Sequence, residues 1–182
     1  MKNVVLISLL LFISTITFAQ KEITPTKNLD AYVGTWVYAS NDSIFKITLK
    51  RGLVEGQDVI INSIMGGYFL SVKGVPVEDY MEVDTTIPWN YKNETRKFHI
   101  IATNAATNLK YVDPDQVGTW FFDARKKHIN GKGIQGGRIL LLAPDTIRWI
   151  LNEKRGLGID DTGEFTPIGF SVPEDVIMIK EK

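Results

Sequence analysis

The sequence of 182 residues contains no cysteine and only two histidines. No disulfide can therefore brace the fold, and no thiol is available for nucleophilic catalysis, redox chemistry or lipid attachment. A zinc site would need His99 and His128 together with carboxylates that the fold brings close. The spacing of the two histidines does not favour such a site, so we expect no metal and no cofactor.

An excess of one charge is also missing, because 21 Lys and Arg face 21 Asp and Glu. A balanced chain has no general attraction to nucleic acid or to anionic membranes, so we expect neither as a partner. The chain contains no GxSxG elbow, no HExxH pair and no phosphate-binding P-loop. We therefore predict no catalytic residue, and an enzyme is the least favoured of the functions considered below.

The one long apolar run lies at the start of the chain. Lys2 precedes the apolar block Val4 to Ile13, and small residues at Thr17 and Ala19 occupy the positions that a signal peptidase reads. The alternative is a retained membrane anchor, but the run is shorter than the ~20 residues that a spanning helix needs. We therefore predict a signal peptide over residues 1–20, one domain over residues 21–182, and export to the periplasm or the extracellular space.

Alternating apolar and polar residues predict an all-β domain. In Ser43 to Arg51, for example, Phe45, Ile47 and Leu49 point to one side of a strand. Lys73-Gly74 indicates a hairpin turn, whereas Gly66-Gly67 is either a turn or a bend within one long strand. Helix is expected only around Thr26 to Tyr32. The other predicted strands are Gly34 to Ser40, Asp58 to Val72, Thr95 to Ala102, Gly118 to Asp123, Arg138 to Ala143, Thr146 to Asn152 and Val176 to Lys180.

Two short motifs match known patterns, a nucleotide-binding fingerprint and an internal repeat, but the residues around them argue against both. Gly131 to Gly136 matches the dinucleotide fingerprint GxGxxG, but the β-like run that follows it favours a glycine-rich hairpin loop. The tetrapeptide Val33-Gly34-Thr35-Trp36 recurs at Val117 to Trp120, but the similarity ends within a few residues on either side. We interpret this recurrence as two strands that begin alike by accident.

At Gly34-Thr35-Trp36, which follows a short helix and opens the first strand, the chain resembles the lipocalin-like, calycin-type barrels with their GxW motif. It is also similar to a family of uncharacterised secreted bacterial proteins with such barrels, for example over Trp149 to Asn152 and Val172 to Lys180. The resemblance implies an antiparallel up-and-down barrel of about eight to ten strands. It also implies a structural role for Gly34 and Trp36, with a late basic residue, either Arg148 or Lys180, covering the tryptophan ring.

Two loops have the composition of a binding site. Trp89 and Tyr91 lie in the loop Thr86 to Asn93, and a basic cluster lies in the loop Ala124 to Gly137. If both loops meet at one mouth of the barrel, they suit an amphipathic anion, because aromatic rings give apolar contact and basic groups attract negative charge. The candidate ligand-binding residues are Trp89, Tyr91, Lys126, Lys127 and His128.

Two functions remain open at this stage. The first is an exported binding module that carries a small apolar or amphipathic ligand inside its barrel. The second is a cell-envelope scaffold or protein-interaction domain with a filled barrel and no catalytic activity. The interior distinguishes them, because a ligand needs a cavity of ~300 Å³ or more.

Overall fold

A computed structural model of the chain describes residues 21–23, 28–56, 59–90, 97–104, 113–126, 134–152 and 169–182. The predicted signal peptide, residues 1–20, lies outside these ranges. The described residues form helix α1, Leu29–Tyr32, and eleven strands. The strands are β1 Lys21–Ile23, β2 Gly34–Ala39, β3 Ser43–Glu55, β4 Val59–Val72, β5 Val75–Asp79, β6 Trp89–Asn90, β7 Ile100–Thr103, β8 Gln116–Phe121, β9 Ile134–Ala143, β10 Thr146–Ile150 and β11 Asp175–Lys180.

Eight of these strands close into an antiparallel up-and-down barrel. The order is β2, β3, β4, β7, β8, β9, β10 and β11, and β11 pairs back with β2. The all-β barrel prediction is therefore confirmed. Three short strands lie outside the ring: β1 is parallel to the start of β4, β5 is antiparallel to its end, and β6 is parallel to the end of β3.

The predicted alternation places side chains inside and outside the barrel. Phe45, Ile47 and Leu49 of β3 are fully buried in the main core, whereas Lys50 is exposed. Gly66 and Gly67 lie within β4, so the pair is not a turn. A side chain at Gly67 would overlap the backbone carbonyl of Tyr80, which crosses that point. Gly67 therefore lets another segment lie directly on the strand, whereas a side chain at Gly66 would overlap Thr48 and Leu49 of β3.

The strand predicted over Thr95 to Ala102 starts later than expected, because β7 begins at Ile100. The difference comes from β4, which pairs with β7 only at Ile64 to Gly66 and with β5 from Phe69 onward. Before Ile100, the His99 amide still donates to the Gly66 carbonyl oxygen of β4 at 2.7 Å, and residues 95–96 lie outside the described ranges. The helix is also shorter than predicted, and residues 24–27 lie outside the described ranges.

Large side chains occupy the middle of the barrel. The Trp149 ring of β10 contacts the Phe45 ring of β3 at 5.9 Å and the Phe121 ring of β8 at 5.6 Å between centroids. Phe121 in turn contacts Tyr68 of β4 at 5.1 Å. These edge-on contacts span the lumen from one wall to another, so side chains fill its centre.

One end of the barrel is organised around Trp36. Its side chain is completely buried, and Nε1 donates a hydrogen bond to the Tyr32 carbonyl oxygen of α1 at 2.8 Å. Lys180 Nζ lies 5.1 Å from the centre of the tryptophan ring, within cation–π range. Arg148 instead binds both carboxylate oxygens of Asp175, at 2.7 and 2.6 Å. Of the two basic residues left open by the sequence, Lys180 therefore covers the ring.

Candidate functional site

Residues 80–90, which we call the strap, cross the outer face of the barrel. The strap begins where the Tyr80 amide donates to the Tyr68 carbonyl oxygen at 2.8 Å. Further along, Lys50 Nζ of β3 donates to the Val83 carbonyl oxygen at 3.0 Å. At its end, Trp89 and Asn90 pair with the end of β3. The strap is therefore attached to the barrel wall at its start, middle and end.

A second hydrophobic cluster lies under the strap, on the outside of the barrel. Trp89 packs edge-on against Phe98 at 5.6 Å between ring centroids. This cluster shares no residue with the main core. It packs the strap against the outer wall of the barrel. Its members are the buried Met65, Val83, Phe98, Ile101 and Phe122 and the partly buried Val54, Trp89 and Trp120.

Between the strap and the start of β7 lies a cleft of about 850 Å³, which we call the outer cleft. An aromatic pair lies at its centre: the Tyr80 and His99 rings are stacked at 4.2 Å between centroids with planes 31° apart. Tyr68 lies against both rings, at 5.3 and 5.4 Å, and Tyr80 remains 38% exposed. The lining residues are Lys50, Asp79, Tyr80, Glu82, Val83, Asp84, Lys97 and His99.

Charged groups of both signs surround this aromatic pair. Asp84 accepts hydrogen bonds from the Thr86 hydroxyl at 2.6 Å and the Thr86 amide at 3.0 Å, and Lys97 Nζ lies 3.1 Å from its other oxygen. Thr86 first, and Lys97 after it, hold the pKa of Asp84 well below its usual value. In the part of the chain that the structure describes, no cluster of three or more His, Cys, Asp and Glu is arranged to hold a metal ion. The outer cleft therefore offers fixed hydrogen-bond donors and acceptors.

A buried polar cluster lies at the barrel end where β8 finishes. Asp123, only 7% exposed, accepts hydrogen bonds from the Arg125 amide at 3.0 Å, the Lys126 amide at 3.1 Å and the Ser171 hydroxyl at 2.7 Å. Its second oxygen accepts from the Ser171 amide at 2.6 Å. Asp123 thus joins the segment after β8 to the segment before β11.

Comparison of the sequence with protein families matches residues 1–181 to one family profile. The chain belongs to a family of unknown function, DUF6705. No curated protein and no solved structure gave a match. Membership of DUF6705 assigns no activity, so the function has to be argued from the geometry of the site.

Within the described ranges of this DUF6705 protein, no helix has the length and apolar character needed to cross a membrane.

Glu78 of β5 is a buried acid near Asp123. It pairs with Leu70 of the main core, which turns it toward the interior, and it is only 6% exposed. Neither carboxylate oxygen accepts a well-formed hydrogen bond, although the Tyr68 and Ser171 hydroxyls lie near enough to favour the charged form. Burial raises the pKa of Glu78; Tyr68 opposes this shift and the charge of Asp123 adds to it.

We expect Glu78→Gln to make the protein more stable at neutral and alkaline pH, by about 1 to 3 kcal/mol, because the neutral amide removes the buried negative charge and its repulsion from Asp123. The folded-state pKa is raised above the ordinary 4.5. Below the unfolded-state pKa the Glu78 carboxyl is therefore protonated in both states, and the wild type has no buried charge to destabilise it. It loses stability as pH rises through the folded-state pKa. The free energy of unfolding, measured by urea titration from acidic to alkaline pH, should therefore differ most at high pH.

The matched control for this experiment is the exposed Glu174 changed to Gln. It should follow the wild type at every pH. A stability difference between Glu78→Gln and wild type that does not change with pH would contradict a raised pKa for Glu78.

Two of the predicted ligand-binding residues, Trp89 and Lys126, lie in the part of the chain that the structure describes. Trp89 lies beside Val54 at the end of β3, and Lys126 follows the end of β8. The Trp89 ring contacts Phe98 at 5.6 Å, and Phe98 contacts Phe122, the residue after β8, at 6.2 Å between ring centroids, so Trp89 belongs to the outer cluster. The shared mouth stays a prediction. Tyr91, Lys127 and His128 lie outside the described residues.

The glycine motif also lacks the structure that nucleotide binding requires. Ile134 to Gly136 lie in β9, which pairs antiparallel with β8, and no helix begins there. Gly131 to Gly133 lie outside the described residues.

Sequence reasoning missed the outer cleft, because its residues come from three separate segments. Tyr80 and Asp84 belong to the strap, Lys50 to β3, and Lys97 and His99 to the approach to β7. The one useful signal was Gly66-Gly67, since paired glycines inside a strand indicate that another backbone comes close.

Proposed function

We propose that this DUF6705 protein is an exported, non-catalytic binding module that engages its partner through the outer cleft and not through the barrel lumen. One observation carries the proposal: large side chains fill the centre of the barrel, while a cleft of about 850 Å³ lies outside it. The cleft falls within the size range of small-molecule sites, roughly 300 to 1,000 Å³.

The packing of the lumen weighs against a ligand carried inside the barrel. A barrel of eight strands has an interior that either fills with side chains or holds one small ligand. Here Phe45, Phe121 and Trp149 contact one another across the lumen, so a ligand there would have to displace them. Moving large core side chains is costly in a close-packed interior. The filled-barrel alternative is therefore favoured.

Several features of the outer cleft suit a binding surface. The strap is held by Lys50, by β6 and by the hydrophobic cluster beneath it, so the cleft keeps its shape without a ligand. The partly exposed Tyr80 ring gives an apolar contact, and Asp79, Glu82 and Lys97 give polar ones. A preformed site of this kind loses little conformational entropy when it binds.

Export is the sequence-based part of the proposal. It is supported by the apolar block Val4 to Ile13 and the small residues before Gln20. A barrel without cysteine has no need of an oxidising compartment to fold, so its fold is compatible with either side of a membrane. N-terminal sequencing of protein recovered outside the cytoplasm should begin near Gln20 or Lys21; an intact Met1 on exported protein would contradict it.

Native mass spectrometry of protein gently recovered from its own host tests the binding site. We expect wild type and the control variant Glu174→Gln to retain a small molecule, and Tyr80→Ala to lose most of it, because Tyr80 provides the exposed ring of the outer cleft. A molecule retained equally by all three proteins would place the ligand elsewhere, in the lumen or on another face. If none of the three proteins retains a small molecule, the result would favour the protein-binding scaffold.

A further inference from the structure

We infer that the outer cleft binds a neutral saccharide, with a pyranose ring lying against Tyr80 and its hydroxyl groups bonded to the charged side chains around it. This inference rests on the proposed function and names the ligand class for the same site. Three observations carry it: a partly exposed aromatic ring, a near balance of charges, and hydrogen-bond donors and acceptors in the same lining.

The platform is the stacked pair of Tyr80 and His99, whose ring centroids are 4.2 Å apart. Tyr68 supports both rings from the buried side, so Tyr80 cannot fold back into the core. The face of an aromatic ring carries partial negative charge, which attracts the weakly positive C–H groups on one face of a pyranose. Tyr80 itself is 38% exposed and is braced by His99 and Tyr68, so a sugar can contact its ring without prior rearrangement.

The charges of the outer cleft nearly cancel. Asp79, Glu82 and Asp84 contribute three carboxylates, and Lys50 and Lys97 contribute two ammonium groups. Asp84 and Lys97 also form an ion pair at 3.1 Å, which removes most of their field from the cleft. What remains is one basic group, Lys50, against the carboxylates of Asp79 and Glu82. The cleft therefore selects weakly for net charge.

A sugar can form hydrogen bonds with both the carboxylates and the ammonium groups of the cleft, because each of its hydroxyl groups is both a donor and an acceptor. Carboxylates accept from sugar hydroxyls, and ammonium groups donate to their oxygens, in bonds stronger than those between neutral groups. The exposed Glu82 carboxylate and the exposed Lys97 ammonium, which has further N–H donors beside the one that Asp84 accepts, provide one of each kind.

The other simple ligand classes fit this cleft less well. A phosphate or carboxylate ligand would face the carboxylates of Asp79 and Glu82, and the Lys50 ammonium that could attract it already donates to the Val83 carbonyl oxygen at 3.0 Å. A purely apolar ligand would strip water from charged groups without replacing their hydrogen bonds. An organic cation would find Tyr80 and two carboxylates, but it would also meet Lys50, whose Nζ is held in place by the Val83 carbonyl oxygen at 3.0 Å. A neutral polyhydroxylated ring meets none of these penalties.

Saturation-transfer NMR on the full-length exported protein tests the inference directly. The probes are methyl β-glucopyranoside, N-acetylglucosamine and cellobiose, with inorganic phosphate and tetramethylammonium as the anion and cation. We expect at least one saccharide to bind with a Kd of about 1 mM or tighter, and neither ion to compete with it. Lack of binding by all three saccharides, or binding of tetramethylammonium alone, would overturn the inference.

Four variants locate the binding. Tyr80→Ala should raise the saccharide Kd about tenfold by removing the platform, while Tyr80→Phe, which keeps the ring, should raise it less than about threefold. Glu82→Gln should raise the Kd about three- to tenfold, and the matched surface control Glu174→Gln should leave it unchanged. Glu82→Gln alters an exposed side chain, so it still reports on binding if Tyr80→Ala does not fold. Saccharide binding that neither Tyr80→Ala nor Glu82→Gln weakens would overturn the assignment to this cleft.

The two proposals fail in different ways. If a molecule retained from the host depends on Tyr80 but the saccharide probes do not bind, the outer cleft is a binding site and the saccharide class is wrong. If retention does not depend on Tyr80 and saccharides do not bind, the outer cleft itself is not the site.

Discussion

Trp36→Ala is expected to lower the free energy of unfolding by about 3 to 5 kcal/mol, as truncation of large buried aromatics does. The side chain has no solvent exposure, its Nε1 donates to the Tyr32 carbonyl oxygen at 2.8 Å, and Lys180 lies over its ring. Truncation would therefore open a cavity and leave the Tyr32 carbonyl oxygen without its hydrogen-bond donor. It would also remove the ring that the Lys180 ammonium contacts. Urea unfolding followed by far-UV circular dichroism measures this loss.

Two further variants separate the causes. Trp36→Phe keeps an aromatic ring but not the Nε1 donor, so it should lose less stability than the alanine variant. Trp120→Ala removes the tryptophan of the second Val-Gly-Thr-Trp sequence, which is only partly buried against the outer cluster, and it should cost less than Trp36→Ala. A Trp36→Ala protein that unfolds at the wild-type urea concentration would contradict the structural role assigned to Trp36.

Asp123→Ala is expected to cost about 2 to 4 kcal/mol, because hydrogen bonds to a charged group are strong and the carboxylate that accepts them is buried. The carboxylate accepts four hydrogen bonds, from the amides of Arg125, Lys126 and Ser171 and from the Ser171 hydroxyl. Its loss would separate the segment after β8 from the segment before β11. Amide hydrogen exchange should show faster exchange at Arg125, Lys126 and Ser171.

Asp123→Asn keeps one acceptor oxygen and should fall between wild type and Asp123→Ala. Asp84→Ala is the control on an exposed aspartate that also accepts several hydrogen bonds, and it should cost much less because water replaces its bonds. Equal losses of stability in Asp123→Ala and Asp84→Ala would show that burial of Asp123 has no energetic consequence.

Asp123 and Glu78 should also be coupled. The negative charge of Asp123 contributes to the raised pKa of Glu78. The stability gain of Glu78→Gln at high pH should therefore be smaller in an Asp123→Asn background, which a double-mutant cycle measures.

The strands and the barrel were predictable because their signal is local. Phe45, Ile47 and Leu49 alternate with polar residues, and that period of two places one face of β3 inside a barrel whichever strands lie beside it. The turn at Lys73-Gly74 and the start of β2 at Gly34 depend on neighbouring residues in the same way. For these elements the chain needs no information from distant segments.

The two Val-Gly-Thr-Trp sequences show where local information ends. Trp36 lies inside the barrel under Lys180, whereas Trp120 faces outward into the cluster beneath the strap. The outward residues Met65, Ile101 and Trp120 form a cross-strand row through β4, β7 and β8, so the strap covers an apolar outer face. Period two alone assigns that face to solvent, because nothing in these strands encodes the segment that covers them.

By itself the sequence determined the class of fold, the positions of most strands, and a filled or ligand-binding barrel as the two alternatives. Only the tertiary structure decided that Lys180 and not Arg148 covers Trp36, that Trp89 packs in a cluster outside the main core, and that a cleft lies between the strap and the approach to β7. The physical reason is sequence separation. Strand formation depends on neighbours along the chain, whereas each of these features depends on contacts between segments tens of residues apart, and those contacts follow from barrel closure and strand register.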